Sequence, residues 1–218
     1  MARRVTRLTV DTLATLPDSV RTCLAWELDP VRRHEVERAG AALDEKESWV
    51  SRVLLEWGSC GRVLYVDDEP AGFVVYAPPA YFPGSASYPT SPVSEDAVQL
   101  ATAQVFDEYA GGGLGRVLMQ VMVKDLLRHG DLRAVECIGF EGRARRGDCM
   151  LPAEFLQRVG FKTHRAHPRY PRMRMELESV LTWREEMESA LARLVGAVRS
   201  RRPAPAAHRH PVAPRELN

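Results

Sequence analysis

The chain has 218 residues, of which 45% are hydrophobic and 27% charged, which is the composition of one globular domain with an appendage. Its 30 Lys and Arg residues balance 29 Asp and Glu residues, and the net charge of +1 excludes a global electrostatic field that would recruit nucleic acid or an anionic membrane. There is no run of about 18 apolar residues and no apolar stretch behind the basic N-terminus, so we expect a soluble, reduced, cytoplasmic protein.

The first part of the chain is predicted to form a strand and two helices. Apolar residues alternate loosely over 4–10, which is typical of a strand. Over 12–28 they recur at intervals of three and four, which predicts a helix that Pro17 interrupts and that stops at Asp29. A second helix is predicted over 44–57.

The middle of the chain is predicted to contain a hairpin and a long strand. Two apolar runs, 62–66 and 71–76, flank an acidic turn, which is the pattern of an antiparallel hairpin. Residues 78–94 form a loop dense in Pro, Ser, Tyr and Gly, and loops of this length often line functional sites. The next strand is predicted over 97–106, directly before the glycine-rich segment 110–115.

Helices and strands alternate through the rest of the predicted domain. An amphipathic helix begins in the glycine-rich segment and ends near residue 129, and a strand follows over 133–140. A short helix over 151–159 and a strand over 173–177 complete the domain, which we place at 1–178.

Two further segments follow this domain. Residues 179–199 are predicted to form an amphipathic helix, whose apolar stripe either makes a homodimer or packs back on its own domain. Residues 200–218 are basic, rich in Pro and Ala and without periodicity, which predicts a disordered, solubilising tail.

The most informative segment is the strand, glycine loop and helix over 97–129. Glycines let successive backbone N–H groups point one way, and a helix that begins there adds unpaired N–H groups and a partial positive charge. Such an arrangement can cradle a phosphate. The spacing excludes a P-loop and a dinucleotide fingerprint, because no Lys-Ser/Thr pair follows and no G-x-G-x-x-G is present. The glycines alone fit a turn without a ligand equally well.

The residues around these glycines carry a family resemblance. The segment 105–118, VFDEYAGGGLGRVL, resembles the coenzyme A loop of the GNAT superfamily of N-acetyltransferases. Gly113 and Gly115 match the two small positions of that motif, whereas Ala110 stands where the family usually has Gln or Arg.

A second signature lies at 155–161, where FLQRVGF is similar to the family's helix that runs into Gly-Phe. The resemblance covers roughly residues 5–178. It implies the GNAT fold, an α/β (α+β) protein with a mixed, mostly antiparallel central sheet flanked by helices, here with an added C-terminal helix. The segment 161–172 is similar to a largely actinobacterial group of members.

The resemblance also implies an N-acetyltransferase that uses acetyl-CoA as cosubstrate and no metal. In the family the pyrophosphate sits on the amides of the glycine loop and the pantetheine arm pairs along the preceding strand. A backbone N–H of that strand would stabilise the oxyanion while the acceptor amine attacks directly in a ternary complex. The positions that correspond to coenzyme A contacts are Val105, Phe106, Asp107, Gly111, Gly112, Gly113, Leu114, Gly115 and Arg116.

Proton transfer is where this sequence departs from the family. Leu156 stands at the position of the family's frequent Tyr acid, and the strand over 97–106 has no internal Asp or Glu. Two carboxylates are candidate bases. Glu136 lies in an apolar strand, where burial would raise its pKa unless it is paired or at an edge. Glu27, in the region that contacts acceptors in the family, is either a base or a surface residue near a helix end.

The four cysteines, at positions 23, 60, 137 and 149, form no C-x-x-C pair, and no His lies at zinc-finger spacing from them. These spacings predict neither a metal site nor a disulfide scaffold. We interpret Cys149, beside Met150, as an inert small hydrophobe in preference to a reactive thiol.

Three functions remain open at this point. The leading hypothesis is acetyl transfer to a primary amine, on a small molecule or a peptide, whose identity the sequence does not reveal. The alternative is a degenerate member that binds acyl-CoA as a sensor or scaffold without turnover, since the usual Tyr and strand carboxylate are missing. The third, an adaptor that touches nucleic acid through its basic tail, is disfavoured by the net charge of +1, and no membrane partner is expected.

Overall fold

The fold is built on one mixed β-sheet. The computed structural model describes residues 2–142 and 149–178 of the chain. Within these residues the sheet has seven strands in the order β1-β2-β3-β4-β5-β7-β6. The strands are β1 (Arg3–Arg7), β2 (Gly61–Val66), β3 (Glu69–Ala77), β4 (Ala97–Val105), β5 (Ala134–Ile138), β6 (Lys162–Arg165) and β7 (Arg172–Glu176). All neighbours pair antiparallel except β4 and β5, which confirms the mixed, mostly antiparallel sheet.

The parallel pairing of β4 with β5 is short. It runs from Ala97 opposite Ala134 to Gln99 opposite Glu136 and then stops, although β4 continues to Val105. The register between β3 and β4 also shifts after this point, which is how a β-bulge appears in a ladder. The two central strands therefore separate, and the second half of β4 has one edge that no described strand covers.

Six helices accompany the sheet in the described part of the chain. They are α1 (Val10–Leu13), α2 (Asp18–Arg21), α3 (Pro30–Arg38), α4 (Ala42–Glu56), α5 (Leu114–Leu126) and α6 (Ala153–Arg158). The predicted interruption at Pro17 is confirmed, because Pro17 separates two single-turn helices, but the predicted extension of the helix to residue 28 is wrong, since 22–28 is turn and irregular structure. The predicted helices over 44–57, 114–129 and 151–159 are confirmed within a few residues as α4, α5 and α6.

Two elements escape the sequence patterns because they are exposed. The helix α3 buries only Val36, so it has no apolar stripe, and it starts where Asp29 caps the amides of Val31 and Arg32. Pro30 suits the first position of this helix. Asp29 and Pro30, which the sequence predicts as the end of one helix, therefore also begin α3. The edge strand β6 is exposed at all four residues.

The core has two halves, one on each face of the sheet. On one face, α5 and α6 pack Leu118, Met122 and Leu156 against the sheet. On the other face, α4 and the N-terminal turns pack Trp49, Val53 and other side chains. The predicted helix over 179–199 and the predicted disordered segment over 200–218 lie outside the described residues.

A buried polar cluster fastens α5 to the sheet. The Asp125 carboxylate, 6% exposed, accepts hydrogen bonds from the Tyr76 and Ser59 hydroxyls at 2.6 Å each, and it pairs with Arg62. Burial and the hydrogen bond to Asp125 raise the pKa of Tyr76, so its hydroxyl stays a donor. The far end of α5 is thereby held against β2 and β3, which sets where the helix begins.

Candidate functional site

A groove of about 580 Å³ lies where β4 separates from β5. One wall is the second half of β4, another is the glycine-rich start of α5, and the third is α6 with the residues before it. The lining residues that the argument uses are Ala103, Val105, Gly113, Arg116, Phe155 and Arg158.

The glycine loop gives this groove a set of free backbone donors. Gly111 and Gly113 have φ of +81° and +74°, the left-handed region that favours glycine, and Gly113 is the residue before the first turn of α5. Among the described residues, no hydrogen bond involves the N–H groups of 111–115. Together with the positive end of the helix, these amides fit the pyrophosphate of a nucleotide cofactor. A Cβ on Gly113 would meet open space, as a site for a ligand requires.

Gly115 differs from the earlier glycines of this segment, because a side chain there would meet a neighbour. A Cβ on Gly115 would lie 2.9 Å from the ring of Phe155. Real Cβ atoms do not approach this closely, so Gly115 allows α6 to pack against the start of α5. Gly115 therefore shapes the groove through packing, in addition to lining it.

The free edge of β4 supplies the second feature of the groove. The Phe106 N–H donates to the Ala71 carbonyl at 3.0 Å, so this residue faces β3. Because alternate residues of a ladder face opposite edges, Gln104 shares that direction, whereas Ala103 and Val105 present their N–H and C=O groups to the groove. An extended polar chain could pair with them as an added strand.

The structure brings most of the predicted coenzyme A residues to this groove, but not all. Val105, Gly111, Gly113, Leu114, Gly115 and Arg116 line it. Phe106 and Asp107 instead line a second groove, of about 930 Å³, on the other side of the end of β4, and Gly112 lies in the loop between its lining neighbours. Sequence reasoning missed Phe155 and Arg158, although the helix that carries them was recognised.

A small cavity of about 30 Å³ lies on the opposite face of β4. It shares Gln104 with both grooves, and shares Ser19 with the larger one. Its polar and sulfur-bearing lining includes Glu27, Lys46, Cys23 and Cys149. Gln104 is thus the residue where all three spaces meet.

Glu27 is buried in this cavity rather than exposed near a helix end. Its side chain is 2% exposed, and one carboxylate oxygen forms an ion pair with Lys46, itself 3% exposed. Lys46 Nζ also donates to the Cys23 carbonyl at 2.8 Å. The segment is held from the other side by Gly84, whose N–H donates to the Trp26 carbonyl at 3.0 Å.

Glu136 is fully buried but surrounded by positive charge. Its carboxylate accepts from the Ser94 N–H at 3.1 Å and from Arg174 at 2.9 Å, and the Arg172 guanidinium lies 3.3 Å away. Burial favours a raised pKa, but the hydrogen bonds from Ser94 and Arg174 and the charge of Arg172 outweigh it and lower the pKa. The expectation of a raised pKa is therefore wrong, because paired arginines replace the apolar environment that the strand sequence indicated. Glu136 lines none of the three spaces described above.

The cysteines also differ from expectation. Cys23 and Cys149 form a disulfide across 126 residues of sequence, whereas Cys60 and Cys137 are buried thiols. The expected fully reduced state is thus not what the structure contains. Sequence spacing could not reveal the pair, because only the fold brings the end of α2 to the segment before α6.

The structure also shows where the position of the family's Tyr acid lies. Leu156, which stands where the family has its Tyr, is fully buried in the core beside Gly139. Its neighbour Phe155 lines the groove. Neither residue can donate a proton.

Within residues 2–142 and 149–178, no group of three or more His, Cys, Asp or Glu residues is arranged to hold a metal ion. No helix within 2–142 and 149–178 is long and apolar enough to cross a bilayer.

Comparison with solved structures shows the fold. The chain is similar to the PaiA N-acetyltransferase of Thermoplasma acidophilum in complex with coenzyme A, at 14% identity and a TM-score of 0.54, over 81% of this chain and 99% of that one. It is similar to aminoglycoside acetyltransferase AAC(6')-Ib in complex with coenzyme A and kanamycin, at 15% identity and a TM-score of 0.55, over 84% and 99%.

A third similar structure is the loading GNATL domain of CurA from Lyngbya majuscula, at 12% identity and a TM-score of 0.50, over 82% of this chain and 100% of that one. These likenesses confirm the GNAT fold and lend no support to the narrower actinobacterial resemblance. No family model and no curated protein sequence matches the chain.

Proposed function

We propose that the chain is an acetyl-CoA-dependent N-acetyltransferase that acts on a primary amine. The observation that carries the proposal is the groove in which the unpaired edge of β4 meets the glycine-rich start of α5. The edge of β4 suits an extended arm that bears amide groups, and the start of α5 suits phosphates. Coenzyme A has both parts, a pantetheine arm and a pyrophosphate.

The chain's own groups define how the cosubstrate would be held. The amides of 111–115 would bind the pyrophosphate, and Arg116 and Arg158 add positive charge to the same groove. Ala103 and Val105 would pair with the two amide groups of the pantetheine arm. A thioester at the end of that arm would lie nearer the N-terminal end of β4, where the register shifts and the strand separates from β5.

The amine would approach from the opposite face of β4, through the space that Gln104 shares with the coenzyme A groove. Its nitrogen attacks the thioester carbonyl, the C–N bond forms, the C–S bond breaks and the thiolate of coenzyme A leaves. A backbone N–H of β4 stabilises the oxyanion. The thiolate is a tolerable leaving group, so a side-chain acid is not required.

The attacking amine must first lose a proton, and Glu27 is the better placed of the two candidate bases. Both carboxylates are buried and paired with cations, but Glu27 lines the cavity beside Gln104, whereas Glu136 lines none of the three spaces. We therefore assign proton acceptance to Glu27 and a structural role to Glu136. The aminoglycoside acetyltransferase that the chain resembles was solved with kanamycin, which supports a small-molecule amine as acceptor.

A second candidate function is an acyl-CoA-binding sensor or scaffold without turnover. The observation that favours it is the absence of a proton donor at both Phe155 and Leu156, and a cavity beside Glu27 that holds only about 30 Å³.

Two measurements test these functions. Calorimetry with acetyl-CoA is expected to show one site per chain. A thiol-release assay over a panel of small-molecule amines, peptide N-termini and lysine peptides is expected to find an amine that accelerates thiol release. Binding without thiol release from any amine supports the sensor, and a protein that does not bind acetyl-CoA contradicts both functions.

We also propose that residues 179–199 form a helix that pairs two copies of the chain, that 200–218 form a disordered tail, and that the protein is cytoplasmic. The apolar stripe of the helix supports the pairing. Light scattering is expected to give a dimer for the full chain and a monomer after truncation at Glu178. An equal mass for both proteins contradicts the interface.

A further inference from the structure

The Cys23–Cys149 disulfide is part of the wall of the cavity that holds Glu27 and Lys46. That cavity measures about 30 Å³, close to the share of one water molecule in the liquid, so it is too small for an acceptor amine. The groove beside it measures about 930 Å³ and shares Ser19 and Gln104 with it. The bridge therefore forms part of the wall of the small closed cavity, which meets the larger groove at Ser19 and Gln104.

The two halves of the bridge are held unequally. On the Cys23 side, Lys46 Nζ donates to the Cys23 carbonyl at 2.8 Å, and the Gly84 N–H donates to the carbonyl of the nearby Trp26 at 3.0 Å. On the Cys149 side, the hydrogen bond found among the described residues comes from Trp26 Nε1 to the Cys149 carbonyl at 3.2 Å. Opening the bridge would leave the Cys23 segment fixed and free the Cys149 side chain.

The other two cysteines are unsuited to redox exchange. Cys60 and Cys137 are both 0% exposed. Burial raises the pKa of the Cys60 thiol to about 12 and also raises that of Cys137, so neither forms the reactive thiolate at neutral pH. Cys23 and Cys149 are half-buried and within reach of a reductant.

We propose that Cys23 and Cys149 are a reversible dithiol–disulfide pair that closes the acceptor cavity when oxidised and opens it when reduced. The reductant is a dithiol. It attacks one sulfur of the bridge, the S–S bond breaks, and a second attack releases two thiols while the reductant becomes a disulfide. Two protons and two electrons pass to the cysteines in the process. The inference rests on the proposed function, because it takes this cavity as the acceptor site.

The coenzyme A groove should not respond to this change. Neither Cys23 nor Cys149 lines it, and the one residue that it shares with the cavity of the bridge is Gln104. The redox state is therefore expected to alter acceptor access and turnover, while the affinity for acetyl-CoA stays the same.

Lysine labelling tests the opening of the cavity without any need for activity. The chain has three lysines, of which Lys46 is buried in the cavity and Lys124 and Lys162 are exposed. The protein is treated with oxidised glutathione or with a phosphine reductant, labelled with an amine-reactive acetate ester and analysed by peptide mass spectrometry. Reduction is expected to speed labelling of Lys46 by about tenfold or more and to leave Lys124 and Lys162 unchanged.

The variant Cys149→Ser provides the matched control, because it cannot form the bridge. Its Lys46 should label at the fast rate in both conditions. Equal Lys46 labelling of the oxidised and reduced wild type overturns the proposal, as does failure to recover the Cys23–Cys149 linked peptide after oxidation.

Turnover provides the second readout once an amine is known. The reduced protein is expected to release thiol at least about tenfold faster than the oxidised protein, and Cys149→Ser should lose this difference. Equal turnover in the two states overturns the gate. If no amine is acetylated in either state but Lys46 labelling responds to reduction, the cavity opens as proposed and the acetyltransferase assignment is what fails.

Discussion

Phe155 and Leu156 are neighbours in α6 whose side chains face opposite ways. The ring of Phe155 lines the groove between β4, α5 and α6 and approaches Gly115, whereas Leu156 is fully buried and lies 3.1 Å from the position of a Cβ on Gly139. The residue that the family motif aligns with a proton donor therefore belongs to the core of this protein, and the groove-facing position is one residue earlier.

Two tyrosine substitutions distinguish these positions. Leu156→Tyr is expected to overpack the core and lower the Tm by about 5 °C. Phe155→Tyr keeps its ring in place and should leave the Tm within about 1 °C, with thiol release changed no more than about threefold. Thermal unfolding and the thiol assay check both variants. A stable, faster Leu156→Tyr protein would show that this side chain reaches the groove after all.

Gly113 offers a charge test of the phosphate site. Asp and Asn both tolerate the left-handed backbone and differ mainly in charge, so Gly113→Asn is the matched control for Gly113→Asp. The aspartate is expected to weaken acetyl-CoA binding at least about tenfold more than the asparagine, because it places negative charge beside phosphates. Calorimetry measures both affinities, and equal losses would remove the glycine loop as the phosphate site.

The kinetics of two glutamine variants test whether Glu27 or Glu136 is the catalytic base. Glu27→Gln keeps a hydrogen-bond acceptor for Lys46 but removes basicity and the charge partner of this buried lysine. Where the variant remains folded, kcat should fall about 10²-fold while the affinity for acetyl-CoA is unchanged. Glu136→Gln should keep kcat within about threefold where it remains folded. A reversed pattern would assign the base to Glu136.

Stability at low pH reports on Glu136. Its pKa in the folded protein is lowered from the ordinary value of 4.5, so its ionised form contributes stability that is fully present above pH 4.5 and lost as the pH falls through the lowered pKa. Glu136→Gln is expected to lower the free energy of unfolding by about 3 kcal/mol at neutral pH, because Arg172 loses its carboxylate. Urea unfolding should show this difference shrink at acid pH. A difference that grows on acidification contradicts the assignment.

Gly84 is expected to be essential for placing the Glu27 segment. A Cβ at this position would lie 2.3 Å from the Ala25 carbonyl oxygen, so Gly84→Ala forces the backbone apart. We expect a loss of about 2 kcal/mol or more in urea unfolding. Gly130→Ala is the control, since a Cβ there meets nothing within 4 Å. Equal stability of the two variants would show that the loop yields without cost.

Sequence patterns predicted the parts of the fold that bury an apolar stripe or alternate along a strand. The helices α4 and α5 and the hairpin of β2 and β3 followed from that periodicity. The helix α3 and the strand β6 are exposed and have no such stripe, so composition alone could not reveal them.

The candidate site divides in the same way. The glycine loop and Val105 are close in sequence, and local motifs indicated them. The cavity around Glu27 joins Lys46, 19 residues away, and Cys149, 122 residues away, through contacts that only the folded chain creates. The lowered pKa of Glu136 could not be predicted from the sequence either, because its arginine partners lie on another strand.

The short pairing of β4 with β5 makes this sheet incomplete until something occupies the gap. The amide hydrogens of Ala103 and Val105 face the groove and have no strand partner in the described chain, so they should exchange with deuterium rapidly in the free protein. An arm of coenzyme A lying along them would slow that exchange. It would also add about 2.7 kcal/mol of stability at a hundredfold excess over its Kd. The cosubstrate would then act as a missing strand, and the melting temperature of the protein would report how much of it is present.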